Sequence, residues 1–227
     1  MERDEEAVRI FRILLLGSYP AERTGAVEAL QAAARVTVWQ RDQSCGPAIA
    51  QGRIGCLMTG VVRKYSVRPD GHRQIVDILI AGDFIGLVPC NDSFLVEAVS
   101  DDTRIASFRP DQVMRLASDH PAIARMLHER LTAALRRLED HLLVQGRITA
   151  IDKVGGYLTL LRERTPQDTA DGLNLPISRY DIADHLGLAV ETVSRAMSSL
   201  RRYGVISMTG PRQLKFHTPA DRSRHIG

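Results

Sequence analysis

The sequence predicts an α+β chain in three parts: a roll of short β-strands, a long helix, and a C-terminal helix-turn-helix followed by a β-hairpin. Three observations carry this. Residues 36–108 fall into short alternating segments, with Gly46, Gly52, Gly60, Gly71, Gly82 and Gly86 between them. Residues 111–145 hold a sustained helical period. Residues 178–217 pair two short amphipathic helices with two alternating strands.

Taken in order, residues 1–20 read as a helical arm with Ile10, Phe11, Leu14 and Leu15 as its apolar stripe. Val27, Leu30 and Ala34 mark a second short helix. Residues 36–39 and 54–58 are strands. Residues 61–65 lead into the turn Arg68-Pro69-Asp70-Gly71, where Pro and Asp-Gly favour a tight reversal. Residues 74–80 return as the partner strand, and 97–99 and 103–108 complete the set. Such regular spacing suits a roll or barrel.

Pro121 suits a first helical turn after Asp119-His120. Beyond it run two heptad-like seams. One is Leu127, Leu131, Ala134, Leu138, His141, Gln145; the other is Leu131, Leu135, Leu138, Leu142. Two seams imply two packing duties, one toward a twin helix of a second subunit and one toward the roll. Gly146 marks a hinge. Thr149, with Asp152 three positions on, opens a helix over 150–164 with Val154, Leu158 and Leu161 inward. Residues 165–174 read as a polar loop.

Ser178 and Asp181 form a capping-box signature. Ile182, Ala183 and Leu186 share one face of the first short helix. Gly187-Leu188-Ala189 makes the turn. Val193, Met197 and Leu200 form the apolar back of the second helix, and its other face carries Glu191, Thr192, Ser194, Arg195 and Ser198. Glu, Ser and Arg at the start of such a helix suit the base edges of a DNA major groove. Ile206 and Met208, then Leu214 and Phe216, alternate with polar residues around Gly210-Pro211-Arg212-Gln213. This hairpin is the wing of a winged helix.

These residues carry a resemblance. Residues 178–202 with their wing resemble the DNA-binding end of the CRP/FNR family of bacterial transcription regulators. The run Val190-Glu191-Thr192-Val193-Ser194-Arg195 resembles its FNR/FixK-type branch. Residues 60–87, with Gly82-Asp83-Phe84-Ile85-Gly86 as a turn, resemble the family's sensor, a β-roll of the cyclic-nucleotide-binding jelly-roll kind. One departure is Ala189, where relatives often have a capping Ser; its absence costs about 1 kcal/mol.

The resemblance implies a homodimer joined through Leu127, Leu131, Ala134, Leu138 and Leu142. Its implied partners are double-stranded DNA and RNA polymerase. It implies base reading by Glu191, Ser194 and Arg195, with Ser178, Arg179, Thr192, Ser198 and Arg212 positioning the DNA backbone. The implied operator is an inverted repeat resembling TTGAT-N4-ATCAA. The expected parts are residues 1–115 (arm and roll), 116–146 (dimer helix), 147–218 (winged helix) and 219–227 (tail).

Cyclic-nucleotide-binding relatives hold the ribose with an acidic residue just after the Gly86 turn, and the phosphate with an Arg-Ser or Arg-Thr pair. Here Leu87 follows Gly86, and residues 91–97 contain no Arg. A buried phosphate without a cation would be costly. No cofactor is expected. An iron–sulfur cluster needs about four thiolates, and the cysteines are Cys45, Cys56 and Cys90, scattered along the chain. His72, His120, His128 and His141 read as structural or solvated rather than haem ligands. Cys45 reads as exposed and oxidisable, Cys56 as a buried strand residue. The alternative is a haem- or thiol-gated sensor of the same family with a different operator.

Composition fits this reading. The 227 residues suffice for one large domain or two modest ones. The net charge of +3 is unevenly placed: residues 147–227 hold 12 Lys/Arg against 8 Asp/Glu, and residues 1–146 hold 18 against 19. The surplus sits with the helix-turn-helix, as a phosphate footprint would. Scattered cysteines suit a reducing cytoplasm. The apolar run 13–16 is too short to span a membrane. No nucleophile–base pair, metal-ligand spacing or phosphate loop argues for an enzyme.

Overall fold

The structure, a computed structural model, describes residues 11–13, 20–49, 52–87, 94–165, 173–210 and 212–217. The expectations for Ile10, Leu14, Leu15, Cys90 and the tail 219–227 lie outside these residues. The chain divides into two compact units. One holds Met1–His72 and Val76–Arg136; the other holds Arg73–Ile75 and Arg137–Gly227.

In the first unit, helix α1 (Pro20–Ala33) precedes strand β1 (Arg35–Trp39) and a short helix α2 (Gly46–Ile49). Strands β2 (Ile54–Thr59), β3 (Val61–Val67), β4 (Arg73–Ile80, of which Arg73–Ile75 belong to the second unit), β5 (Phe84–Ile85), β6 (Leu95–Ala98) and β7 (Thr103–Phe108) follow. They form two sheets, in the orders β1-β7-β2-β5 and β4-β3-β6. Strand alternation explains the double core, because successive side chains point to opposite faces. Cys56 and Met58 of β2, with Ala106 and Phe108 of β7, face Ala26, Val27 and Leu30 of α1. Leu57 and Ile105, their neighbours in sequence, face the other way onto Val62, Leu79, Val96 and Ala98 of the second sheet. The expected strands are all present, with β1 and β4 beginning one residue earlier than the pattern suggested and the strand expected at 97–99 lying at Leu95–Ala98.

The turn at Gly82–Gly86 is built by Asp83, whose carboxylate accepts from the Ile80 amide at 2.9 Å. Gly86 has φ +81°, and a Cβ there would lie 2.6 Å from the Arg53 carbonyl oxygen. No side chain fits that approach.

The helical stretch after the roll is two helices, α3 (Pro110–Asp119) and α4 (Pro121–Gln145). His120 separates them in an extended conformation, as the residue before a proline prefers. The face of α4 packed into the unit's core is Ala122, Ile123 and Met126, with Leu127 partly buried. The expectation that one leucine seam covers the roll holds at Leu127 and is corrected beyond it. The roll-facing residues lie one to three turns earlier, and Leu131, Leu135, Leu138 and Leu142 are all exposed.

Cys45 is a second correction. It is fully buried, and its amide donates to the Val96 carbonyl at 2.8 Å. Burial pushes its thiol up to about 12 and raises that of Cys56 as well. Neither thiol is an accessible thiolate.

The second unit continues α4 from Arg137 and adds α5 (Ala150–Arg164), β8 (Leu173–Asn174), α6 (Arg179–Leu186), α7 (Val190–Arg202), β9 (Ile206–Met208) and β10 (Gln213–Phe216). Thr149 caps α5 by accepting from the Asp152 amide at 3.1 Å. Val154, Leu158 and Leu161 of α5 are buried, as are Ile182, Ala183 and Leu186 of α6 and Val193, Ala196, Met197 and Leu200 of α7. The wing is a three-stranded antiparallel sheet, β8-β10-β9. Its third strand comes from the end of the stretch expected to be a loop, with Leu173 opposite Leu214 and Asn174 opposite Gln213. No helix among the described residues is long and apolar enough to cross a membrane.

Candidate nucleic-acid interface

Helix α6 starts at a complete capping box. The Ser178 hydroxyl accepts from the Asp181 amide, and the Asp181 carboxylate accepts from the Ser178 amide. The helix ends at Gly187 in the left-handed conformation, φ +63°, which glycine adopts without strain. The Leu188 amide donates back to the Ala183 carbonyl at 3.0 Å. One residue later Ala189 takes the N-cap position of α7 with no side-chain hydrogen bond. The turn is thus set by backbone geometry alone, and the missing cap read from the sequence is found.

On α7 the buried stripe fixes what faces outward. Glu191, Arg195 and Ser198 are exposed, and Thr192 and Ser194 are half-buried. Glu191, Ser194 and Arg195 stand at i, i+3 and i+4, so they share one face near the helix start. An acidic residue in the first turn also suits the helix dipole. The Ser198 hydroxyl turns back to the Ser194 carbonyl at 2.9 Å. Arg201 and Arg202 are exposed in the last turn.

The other expected residues flank this face with different freedom. Arg179 is exposed, its guanidinium 3.9 Å from the Met208 sulfur of the wing. Ser178 has both its hydroxyl and its amide engaged with Asp181 in the first turn of α6. Tyr180, beside Arg179, is 67% exposed. Arg212 and Lys215 are exposed on the wing. The wing is held on α5 by Arg162, whose guanidinium lies 5.0 Å from the centre of the Phe216 ring.

An arginine, a glutamate and a serine on one exposed helix face can donate to a guanine edge, accept from a cytosine amino group and bond a neighbouring base or phosphate. Among the described residues no group of three or more His, Cys, Asp or Glu is placed to hold a metal ion.

Residues 129–220 match the family of Crp-like helix-turn-helix domains. A nitrogen fixation regulation protein FixK of Bradyrhizobium diazoefficiens is 36% identical over 155 residues, which cover 67% of this chain and 65% of that protein. The chain thus matches just under two thirds of that relative's length. FixK of Rhizobium meliloti is 35% identical over 164 residues, covering 72% of this chain and 73% of that one. The solved structure of FixK2 from Bradyrhizobium japonicum is similar with a TM-score of 0.71 at 32% identity, covering 84% of this chain and 96% of that one. A CooA variant from Carboxydothermus hydrogenoformans shares the fold at 18% identity, with a TM-score of 0.71. An exposed Glu–Ser–Arg face on a winged helix, a double-cored β-roll and relatives of this identity and coverage place the chain in the CRP/FNR family of transcription regulators, among its FixK-type members.

Proposed function

We propose that the protein is a homodimeric, sequence-specific transcription regulator that binds an inverted repeat resembling TTGAT-N4-ATCAA. The observation that carries this is the shared exposed face of Glu191, Ser194 and Arg195 on α7, opposite a fully buried stripe. Arg195 bonds the N7/O6 edge of a guanine, Glu191 accepts from a cytosine N4, and Ser194 contacts a neighbouring base or phosphate. Ser178, Arg179, Thr192, Ser198 and Arg212 position the DNA backbone, Ser178 from the helix start it also caps. The exposed row Leu131, Leu135, Leu138, Leu142 on α4, flanked by Leu127 and Ala134, supports pairing with a second copy. Two recognition helices about a two-fold axis fit half-sites about one helical turn apart. Relatives named as activators make RNA polymerase the natural protein partner.

The roll offers no free cation to a ligand phosphate at its most buried guanidinium. Arg63 is 9% exposed and bonded to Glu97 of the neighbouring strand and to Asp42. Tyr65 donates to the other oxygen of Glu97 at 2.9 Å. This supports a roll that works without a cyclic nucleotide.

Selection of bound DNA from a random pool by the purified protein tests the reading. Enrichment of the TTGAT inverted repeat is expected without added ligand. Enrichment of an unrelated site, or of none until a ligand or reductant is supplied, would overturn it in favour of a gated sensor.

A further inference from the structure

His185 stands in the last turn of α6, 5% exposed, where no sequence pattern marked it. Its ring lies against His141 of α4 with centroids 4.2 Å apart, and against Tyr157 of α5 at 4.8 Å. Its Nδ1 is 3.1 Å from the Ile75 carbonyl oxygen. A carbonyl only accepts, so the proton of the neutral ring sits on Nδ1. Gln145 of α4 completes the arrangement: its Nε2 donates to the His185 carbonyl at 3.0 Å and lies 3.4 Å from His141 Nε2. All these residues belong to the second unit. Three elements therefore converge on one imidazole, and α6, which packs on the recognition helix, is tied to the end of α4 through it.

We propose that the His141–His185 stack is a proton-operated latch that holds α6, and with it the DNA-reading helix α7, on the end of α4, and that acid releases it. The proposal rests on the reading of α7 as the DNA-binding element.

The chemistry is one-sided. The groups facing His185 are His141 from α4, Tyr157 and Arg164 from α5, and the Ile75 carbonyl. The carboxylates of its own helix, Asp181 and Asp184, are met by Arg73 at 3.5 and 2.8 Å. Among the described residues no carboxylate is thus stacked on the ring to welcome a positive charge. Burial, then the neighbouring His141, hold His185 well below its ordinary value, at about 3. Opening to solvent restores a value near 6.5. The closed latch is therefore fully stable above about pH 6.5 and loses stability as pH falls from there toward 3. One proton taken up on opening raises the opening constant by up to about tenfold per pH unit in that window.

Hydrogen–deuterium exchange of the full-length protein reads the latch without DNA. After correction for intrinsic rates, α6 amides should open about fivefold more readily at pH 5.5 than at pH 6.5, and His185→Gln should flatten that slope. Should that variant fail to fold, 13Cε1-histidine NMR of the wild type gives an independent reading. One of the seven histidines in the chain should stay neutral at pH 5. If all seven titrate near 6.5, or if α6 opening is independent of pH, the latch is refuted. Anisotropy with labelled DNA then reads its consequence. The wild type should lose more affinity than His185→Gln between pH 7.5 and 5.5, and parallel losses would overturn the regulatory role. A protein that fails to prefer the TTGAT repeat at pH 7.5 but shows the exchange slope would sink the operator reading and leave the latch standing.

Discussion

The Asp181 carboxylate takes both polar groups of Ser178, lying 2.6 Å from its hydroxyl and 3.0 Å from its amide. The same carboxylate is 2% exposed, with Arg73 at 3.5 Å. The first helix of the motif is therefore anchored at its start, while the second begins at Ala189 with a bare N-cap. This asymmetry is directly testable. Ala189→Ser supplies the missing acceptor to the first-turn amides and should stabilise the protein by about 1 kcal/mol, and Ser178→Ala should cost about 1 kcal/mol. Urea denaturation of both variants gives the two values, and an Ala189→Ser midpoint at or below wild type would contradict the capping argument.

The capping box, the glycine turn and the apolar stripes were legible because each depends on neighbours within four residues. The strands of the roll were legible from alternation and turn chemistry. What escaped depends on long-range partners. Cys45 sits beside Ser44 and Gly46, a polar setting in sequence, and is buried because its backbone pairs with Val96, far along the chain. Leu173 and Asn174 look like loop until Leu214 and Gln213 pair with them. On α4 the leucines dominate the pattern, yet Ala122, Ile123 and Met126 meet the core. No sequence pattern marks His185, and only the fold brings His141 and Tyr157 onto its ring.

The cysteines give a second prediction. With Cys90 replaced by Ser, native protein at pH 8 should react with a soluble thiol reagent only slowly, since Cys45 and Cys56 are buried and their thiols raised. Mass-spectrometric mapping after alkylation should find both unmodified until urea is added. Rapid native labelling of Cys45 would restore the thiol-sensor alternative.

Leu138 supplies the third. It is 52% exposed in the protomer, so Leu138→Glu should change protomer stability by less than about 0.5 kcal/mol. In a pair of α4 helices the same carboxylate would be buried without a partner. Sedimentation should show a folded monomer with unchanged circular dichroism and weakened operator binding. A persistent dimer would place the interface elsewhere.

The fourth prediction separates reading from gripping. Arg195 stands exposed on the face it shares with Glu191 and Ser194, while Arg179 stands exposed at the start of α6. A base-reading arginine and a phosphate-gripping one differ in their signatures. Arg195→Ala should lose about 1–3 kcal/mol per half-site, with most of the loss confined to operators carrying the G·C pair. Arg179→Ala should weaken binding to all sequences alike and reduce the slope of log affinity against log salt, by about 0.9 for each phosphate no longer neutralised. Competition of the TTGAT palindrome against one with its G·C pairs exchanged, repeated at several salt concentrations, measures both. If Arg195→Ala keeps the full preference for the palindrome, the guanine is read by another residue. If Arg179→Ala changes preference rather than salt slope, that arginine reaches a base.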